Sequence, residues 1–307
     1  MSSALLNIFP VKLRELFGDV LSEQRGFSEL RFRCKEPIIL LSGRNESFLH
    51  RNGGLTRRVE EAYRISVGEM KEMMEFISNY SVYAYEEELR QGFITIQGGH
   101  RVGVCGKAVL SEGKIKTIRN IAFINIRLAK EHKGCATPLL PYLFDGDRMC
   151  HTLIVSPPGC GKSTMLRDLI RQVSDGTKGF RGRKVGVVDE RSELAACYYG
   201  VPQTDIGMRT DVLDGCPKEA GIEMLLRSMS PEVIAVDELG GERETEMVRR
   251  AVCCGCSIVA TAHGSRSEMA FQIESGIFER YVFLASGAVP GVIEAICDKE
   301  GKELVKL

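Results

Sequence analysis

A short glycine-containing segment, residues 156–164 (SPPGCGKST), lies between the apolar run 151–155 and the helix-like run 165–170. Glycines in such a loop let the backbone wrap around an anion, and the N-terminus of the following helix favours negative charge. The order G-x-x-x-x-G-K-[ST] between a strand and a helix is typical of a phosphate-binding loop. It predicts that Lys162 reaches the β- and γ-phosphates of a nucleotide and that Ser163 binds Mg²⁺.

One position of this loop departs from the common pattern, because Ser156 stands where the first glycine is usual. A small residue is tolerable there, so the prediction of ATP and Mg²⁺ as ligands stands. The residues expected to contact the nucleotide are Ser156, Pro157, Pro158, Gly159, Cys160, Gly161, Lys162, Ser163 and Thr164.

A second chemical motif is the apolar run 233–236 that ends in Asp237 and Glu238. A carboxylate pair at the end of a buried strand, downstream of a phosphate-binding loop, is typical of a magnesium-dependent nucleotide hydrolase. Asp237 is expected to bind Mg²⁺, and Glu238 is expected to orient or deprotonate the attacking water. A glutamate at the second position favours hydrolysis over binding alone.

Two further apolar runs end in polar side chains. The run 184–188 ends in Asp189 and Glu190, and the run 257–262 ends in His263. Parallel strands place such ends at one edge of a sheet. Glu190 is therefore a second candidate for contact with water or Mg²⁺, with a helix N-terminal cap as the alternative, and His263 is a candidate sensor of the γ-phosphate.

The elements that must position these residues are visible as a change in pattern along the chain. Beyond residue 136, short apolar runs alternate with helical stretches, as in parallel sheets buried on both faces. We therefore expect an α/β fold: a RecA-like P-loop domain with a mostly parallel sheet at 136–307, preceded by a smaller α+β domain at 1–135.

The first 135 residues contain mixed helix and strand patterns. Ser66 followed by Glu69 predicts a capping box at the start of a helix over residues 67–79. Further elements are predicted for a helix at 10–22, strands at 30–34 and 38–41, and two strands around the Gly98-Gly99 turn within 93–104.

Composition excludes several classes of protein. Apolar residues make up 44% and charged residues 27%, which is ordinary for a soluble domain. No stretch of about 18 apolar residues predicts a membrane span, and the N-terminus does not resemble a signal peptide. Eleven cysteines scattered through the chain suggest reduced thiols in a cytosol. Residues 1–135 carry 21 basic and 16 acidic side chains, and residues 136–307 carry 20 and 25.

The chain resembles the stage III sporulation protein AA family in several segments. They are SPPGCGKST, ATAHG, QGGHRVGVCGKAV, INIRLAKEHKG and the long stretch from VGVVDERSELAACYYG to VIAVDELGG. The resemblance covers most of the chain and is densest from 91 to 264. The ATPase domain of that family is similar to the motor ATPases of type II secretion and type IV pili.

The resemblance implies an acidic box at Asp189–Glu190, a histidine box at His263 and a hexameric ring with nucleotide between subunits. It also implies a place in the mother-cell cytoplasm of an endospore-forming bacterium, peripheral to the membrane. There the ring would dock on membrane-anchored channel proteins of the same operon and energise a channel towards the forespore. Sequence alone does not choose the arginine that completes a neighbouring site, among 101, 119, 127, 209, 227, 243, 249 and 250.

Two alternatives stay open from the residues alone. One is a P-loop protein that binds single-stranded nucleic acid, although the chain lacks an RNP-like aromatic run or a suitable GxxG loop. The other is a nucleotide-dependent scaffold that binds ATP with little turnover, against which Glu238 argues.

Overall fold

The computed structural model describes residues 3–22, 26–81, 85–240, 242–266, 276–287 and 289–306. Contacts divide the chain into two compact units, Met1–Lys130 and Glu131–Leu307. The boundary therefore lies five residues before the one expected at 135. The residues from 131 to 136 belong to the second unit because they form hydrogen bonds within it. Glu131 accepts a hydrogen bond from the backbone N–H of Asp205, and the backbone N–H of Ala136 donates to Asp168.

The first unit combines an antiparallel sheet with helices. Its elements are α1 (Ser3–Asn7), α2 (Val11–Ser22), β1 (Glu29–Arg33), β2 (Ile39–Ser42), β3 (Asn45–Leu49), β4 (Leu55–Thr56), α3 (Val67–Ile77), α4 (Glu86–Gln91), β5 (Phe93–Ile96), β6 (His100–Ser111) and β7 (Lys114–Arg127). The strand order is β4-β3-β2-β1-β7-β6-β5. The helices and one face of the sheet share a single apolar cluster.

The alternation of residue types along β1 shows why this sheet has one buried face. Leu30 and Phe32 are fully buried, whereas Arg31 and Arg33 between and beside them stay partly exposed. Side chains alternate between the two faces of a strand, so an apolar-polar alternation orients the strand towards the helices. The rings of Phe9 and Phe17 stack with centroids 4.8 Å apart and cover this face.

The start of α3 follows the sequence prediction. Ser66 Oγ accepts a hydrogen bond from the backbone N–H of Glu69, and Glu69 Oε2 accepts one from the backbone N–H of Ser66 at 2.8 Å. This reciprocal capping box satisfies two N–H groups that have no partner inside the helix. The predicted capping box is confirmed, and the helix ends two residues earlier than the range 67–79.

The second unit contains a larger sheet with helices on both faces. Its elements are α5 (Leu140–Leu143), β8 (Phe144–Asp145), β9 (Arg148–Met149), β10 (Thr152–Ser156), α6 (Lys162–Asp175), β11 (Val185–Asp189), β12 (Thr210–Asp214), α7 (Lys218–Ser228), β13 (Val233–Val236), α8 (Glu242–Cys253), β14 (Ser257–His263), β15 (Arg280–Leu284), β16 (Ile293–Asp298) and β17 (Glu303–Lys306).

The strand order of this sheet is β12-β11-β13-β14-β10-β15-β16-β17. The first six strands in that order run parallel, and β16 and β17 join antiparallel. The apolar runs noted in the sequence all form strands of this sheet. Successive residues of β10 face opposite clusters: Ile154 packs with α6, while Leu153 and Val155 pack with α7 and α8.

The register of the parallel strands brings the predicted site residues together. Ser156 at the end of β10 lies opposite His263 at the end of β14. Val236, the last residue of β13, lies opposite Ala260 of β14. Since parallel strands end at a common edge, the loops after β10, β11, β13 and β14 meet there. Within the described residues, no helix is long and apolar enough to cross a bilayer.

Candidate functional site

The loop between β10 and α6 turns through two left-handed glycines. Gly159 has φ +77° and Gly161 has φ +92°, values that L side chains adopt only with strain. Ser156, by contrast, is the last residue of strand β10 and is 1% exposed. Its extended backbone needs no glycine, which explains why serine is accommodated at the first position of the motif.

Gly161 is required for a second reason, which is crowding. A Cβ at this position would lie 3.0 Å from the backbone nitrogen of Gly291 and 3.3 Å from its Cα. The Gly291 N–H donates to the Cys160 carbonyl at 2.8 Å. The segment after β15 therefore closes directly against the loop, and a side chain at Gly161 would separate them.

Lys162 is the first residue of α6, and its ammonium lies at the centre of the loop. Its Nζ donates to the Ser156 carbonyl at 2.8 Å and to the Pro157 carbonyl at 3.2 Å. Its pKa is lowered from the usual lysine value by burial, an effect that the nearby carboxylates of Asp237 and Glu238 oppose. The residue is 7% exposed, so a positive charge is held where an anion could approach from one side only.

A chain of hydrogen bonds connects this ammonium to the end of β13. Lys162 Nζ lies 2.9 Å from His263 Nδ1, and His263 Nε2 lies 3.1 Å from Glu238 Oε1. Because an ammonium can only donate, Nδ1 is the acceptor, and the proton of a neutral ring is on Nε2, from which it is donated to Glu238. Glu238 itself has φ +43°, a strained backbone for a non-glycine residue and a feature that clusters at functional sites.

The carboxylate of Asp237 accepts hydrogen bonds from two hydroxyl groups. Thr261 Oγ1 donates to Asp237 Oδ1 at 2.7 Å, and Ser163 Oγ donates to Oδ2 at 3.2 Å. Thr261 Oγ1 also accepts the N–H of Glu238 at 2.9 Å, which ties the two acids to β14. Burial raises the pKa of Asp237, while the hydrogen bond from Thr261 acts against that rise.

The donor set next to the loop is suited to Mg²⁺. Ser163 and Asp237 place a hydroxyl oxygen and a carboxylate oxygen side by side, and magnesium takes oxygen ligands while keeping several waters and substrate phosphates. Over the described ranges, no group of three or more His, Cys, Asp and Glu side chains forms a cage for a metal.

Asp189, at the end of β11, serves its own loop. Its Oδ1 accepts the N–H of Glu193 at 2.7 Å, and its Oδ2 accepts the N–H groups of Leu194 at 3.0 Å and Ala195 at 2.8 Å. The side chain is fully buried, and burial raises the pKa of Asp189 to about 6 against the opposing effect of these bonds. Both carboxylate oxygens are thus used to bend the loop back on itself.

Glu190 points to a different partner from the one the sequence suggests. Its Oε2 forms an ion pair with Lys218, the first residue of α7, whose ammonium also lies 3.4 Å from Glu244 Oε1. Glu244 in turn accepts the N–H of Gly240 at 2.8 Å. Lys218 therefore joins the loop after β11 to the loop after β13. Glu190 does not cap a helix either, because the next element after β11 is strand β12.

An open cavity of about 640 Å³ lies in front of the loop. Lining residues from the predicted set are Pro158, Gly159, Gly161, Lys162, Ser163, Thr164, Asp237, Glu238 and His263. Ser156, Pro157, Cys160 and Glu190 are not among the lining residues. The carbonyls of Ser156 and Pro157 accept hydrogen bonds from Lys162, and Glu190 pairs with Lys218.

Sequence reasoning missed part of this wall. The unpredicted lining residues are His132, Cys135, Met165, Glu193, Thr261, Val289, Pro290 and Gly291. Glu193 belongs to the acidic run 189–193, so its residue type was visible, but its orientation depends on the bend that Asp189 imposes. No sequence pattern indicates the segments around His132 and Pro290, which reach the cavity from distant positions in the chain.

The candidate arginines differ in their surroundings. Arg209 donates to the carbonyls of Ser174 and Asp175, and Arg227 and Arg250 both lie beside Glu223. In the first unit, Arg101 and Arg127 lie directly opposite each other on β6 and β7. The guanidinium group of Arg101 lies over the ring of Phe93, 3.9 Å from the ring centroid. The side chain of Arg243 lies outside the described residues.

Three comparisons with known proteins bear on this geometry. The family model described as sporulation stage III, protein AA matches residues 2–304. The stage III sporulation protein AA of Bacillus subtilis (strain 168) is 39% identical over 308 residues, which span 98% of this chain and 96% of that protein.

Among solved structures, the ATPase DotB of Legionella pneumophila aligns with a TM-score of 0.58 and 18% identity, over 90% of this chain and 76% of that one. The pilus retraction motor PilT with bound ADP aligns with a TM-score of 0.54 and 13% identity, over 87% and 77%. At such identities the likeness shows the fold alone.

The crowding at Gly161 predicts a contrast between two alanine substitutions. Gly161→Ala should lower the free energy of unfolding by about 1–3 kcal/mol and expose the Gly291 amide to hydrogen exchange, because the new Cβ meets Gly291. Gly159→Ala is the matched control, since its φ is also left-handed but a Cβ there has nothing within 4 Å. Equal exchange at Gly291 in both variants would contradict the crowding argument.

The buried carboxyl of Asp189 predicts a pH dependence. Its pKa is about 6 in the folded chain, against an ordinary value near 4 in the unfolded chain. The folded chain therefore binds more protons between these pH values, so this group's stabilisation is complete below about pH 4 and is lost as the pH rises through 6. Carbon-13 NMR of labelled aspartates, with Asp189→Asn for assignment, should find the midpoint near 6; a midpoint near 4 would disprove the shift.

Proposed function

The chain belongs to the stage III sporulation protein AA family, and from that premise we propose that it is a magnesium-dependent ATPase of the secretion-motor type. It is a sporulation stage III protein with the fold of secretion and pilus ATPases. The observation that carries the proposal is the hydrogen-bonded chain from Lys162 through His263 to Glu238. It joins the residue suited to bind a terminal phosphate with the residue suited to act on water.

In the proposed reaction, water attacks the γ-phosphorus of ATP, the bond to the β–γ bridging oxygen breaks, and ADP and phosphate leave. The loop N–H groups and the N-terminus of α6 bind the phosphate oxygens, and Lys162 exchanges its carbonyl partners for them. When bound, Mg²⁺ neutralises phosphate charge, and Ser163 and Asp237 would hold it.

Glu238 is the proposed general base or water-orienting group. Its carboxylate lines the cavity and accepts a hydrogen bond from His263, whose other ring nitrogen contacts Lys162. A change at the lysine, such as the arrival of a γ-phosphate, would therefore alter the hydrogen bond at the base. This coupling gives His263 a specific role as the γ-phosphate sensor.

We propose that Glu193 rather than Glu190 is the acidic-box residue that faces the nucleotide. Glu193 lines the cavity, and Asp189 binds its backbone N–H, whereas Glu190 is paired with Lys218. Glu190 is then a residue that positions the loops after β11 and β13. The acidic box implied by the family resemblance, Asp189–Glu190, is thereby extended to Glu193, and the carboxylate proposed to face the nucleotide is Glu193 in place of Glu190.

The assembly proposed is a homo-oligomeric ring, six copies by resemblance, in the mother-cell cytoplasm. It would dock on membrane-anchored channel proteins of the same operon and energise a channel to the forespore. Of the candidate arginines, we propose that Arg127, whose side chain is exposed on β7, acts on the nucleotide of a neighbouring copy.

Three glutamine substitutions at the strand ends test the assignment of the base. Glu238→Gln should lower ATP turnover by about 10²–10⁴-fold while ATP binding persists, because the amide cannot accept the proton. Glu193→Gln should have a smaller effect, and Glu190→Gln, the matched acid outside the cavity, should keep most of the turnover. Lys162→Ala should abolish both binding and turnover. A larger loss in Glu190→Gln than in Glu238→Gln would reverse the roles.

The dependence of the ATPase rate on protein concentration tests the ring. A rate per subunit that rises with concentration and disappears in Lys162→Ala would support sites shared between copies. If Arg127→Ala lowers the rate and is rescued by mixing with Lys162→Ala subunits, the arginine acts across the seam. ATP binding without turnover at any concentration, with a monomeric mass, would favour the scaffold alternative.

A further inference from the structure

The hairpin of β6 and β7 continues beyond the sheet of the first unit as a two-stranded ribbon. We call residues 107–119 the distal ribbon. It begins at Gly106, where a Cβ would lie 2.6 Å from the Arg119 carbonyl and 2.7 Å from that of Asn120, and where the strand register shifts. From residue 105 to residue 123 no side chain is buried. Ile118 packs against the apolar cluster of the first unit, whereas residues 110–116 are all exposed, so the turn end of the ribbon lies outside the core.

The charge of the distal ribbon is strongly one-sided. Its basic side chains, all exposed, are Lys107, Lys114, Lys116 and Arg119, and its acid is Glu112 at the turn. Lys107 lies directly opposite Arg119 on the neighbouring strand. Like charges in a cross-strand pair destabilise a hairpin, and no ion pair joins these four to a side chain that the structure describes. The basic side chains of the distal ribbon are therefore suited to bind an anionic surface.

The tip of the distal ribbon is apolar as well as basic. Leu110 and Ile115 face each other across the strands and are 63% and 48% exposed. They adjoin the tight turn at Glu112 and Gly113, which both have left-handed φ values. Next to Ile115, the Lys116 carbonyl accepts a hydrogen bond from Arg90 of α4 at 3.2 Å, which supports the ribbon on the unit.

We propose that the distal ribbon docks on an anionic lipid bilayer. Leu110 and Ile115 enter the headgroup region, and the flanking lysines contact lipid phosphates and carboxylates. Amphipathic segments bind membrane surfaces through this combination of buried apolar area and attraction to anionic lipid. The proposal concerns a surface of the first unit and does not depend on ATP hydrolysis.

Two features favour lipid over other anionic partners. A two-stranded ribbon offers less area than the roughly 800 Å² that each partner contributes to a stable protein interface. A bilayer requires no complementary pocket, so a narrow tip suffices. The ribbon also contains no aromatic residue, whereas single-stranded nucleic acid is bound by stacking its bases on aromatic rings.

Vesicle flotation of the full chain tests the proposal. The protein should bind vesicles of phosphatidylcholine mixed with phosphatidylserine, should bind phosphatidylcholine vesicles much less, and should be released by salt. Lys114→Glu combined with Lys116→Glu should lower the partition coefficient by about tenfold or more. Leu110→Ser combined with Ile115→Ser should lower binding and leave its salt dependence intact.

A control of equal net charge is Lys178→Glu combined with Lys299→Glu, two exposed positions in the second unit. This control should bind vesicles like the original chain, and all variants should keep the same thermal unfolding midpoint because the altered side chains are exposed. Equal binding to both vesicle types, equal loss in the control, or undiminished binding by the ribbon variants would each overturn the proposal. Binding to an oligonucleotide but not to vesicles would overturn it in favour of nucleic acid.

Discussion

The candidate site depends on the parallel register of β10 with β14. Because Ser156 lies opposite His263, the Ser156 carbonyl and the histidine ring are close enough to bind the same ammonium. A shift by one residue would turn every side chain of β10 to the other face and separate the loop from the histidine. The register is maintained by the two apolar clusters, one on each side of the sheet, into which successive residues of β10 pack.

Around that register the structure places Lys162 close to several acids, and each acid has different hydrogen-bond partners. Asp237 is held by Thr261 and Ser163, Asp189 bends its own loop, and Glu238 is linked to Lys162 through His263. Burial raises the pKa of both aspartates. Carboxylates at neighbouring strand ends are thus distinguished by their hydrogen-bond partners, which no spacing rule describes. The left-handed backbone of Glu238 is held by the bond between its N–H and Thr261.

Many elements of the chain could be predicted because they carry short-range patterns. The apolar runs noted in the sequence form strands of the second sheet, and Ser66 with Glu69 caps α3. Strands β12, β16 and β17 escaped prediction because their residues are only partly apolar and their stability comes from neighbouring strands. The distal ribbon also escaped prediction. Its strands are basic and exposed, so they lack the regular alternation of apolar and polar residues that predicts a half-buried strand.

The amino-acid sequence by itself determined the phosphate-binding loop, the acids at the strand ends and the histidine, because these depend on residue type at fixed local spacing. It did not determine which acid faces the cavity. Tertiary structure decided that Glu193 lines the cavity while Glu190 pairs with Lys218, since the Asp189 carboxylate uses its hydrogen bonds to bend the intervening loop. Tertiary structure also placed His132 and Pro290 in the lining of the same cavity. These residues are far apart in the chain, so only the packing of their segments brings them together.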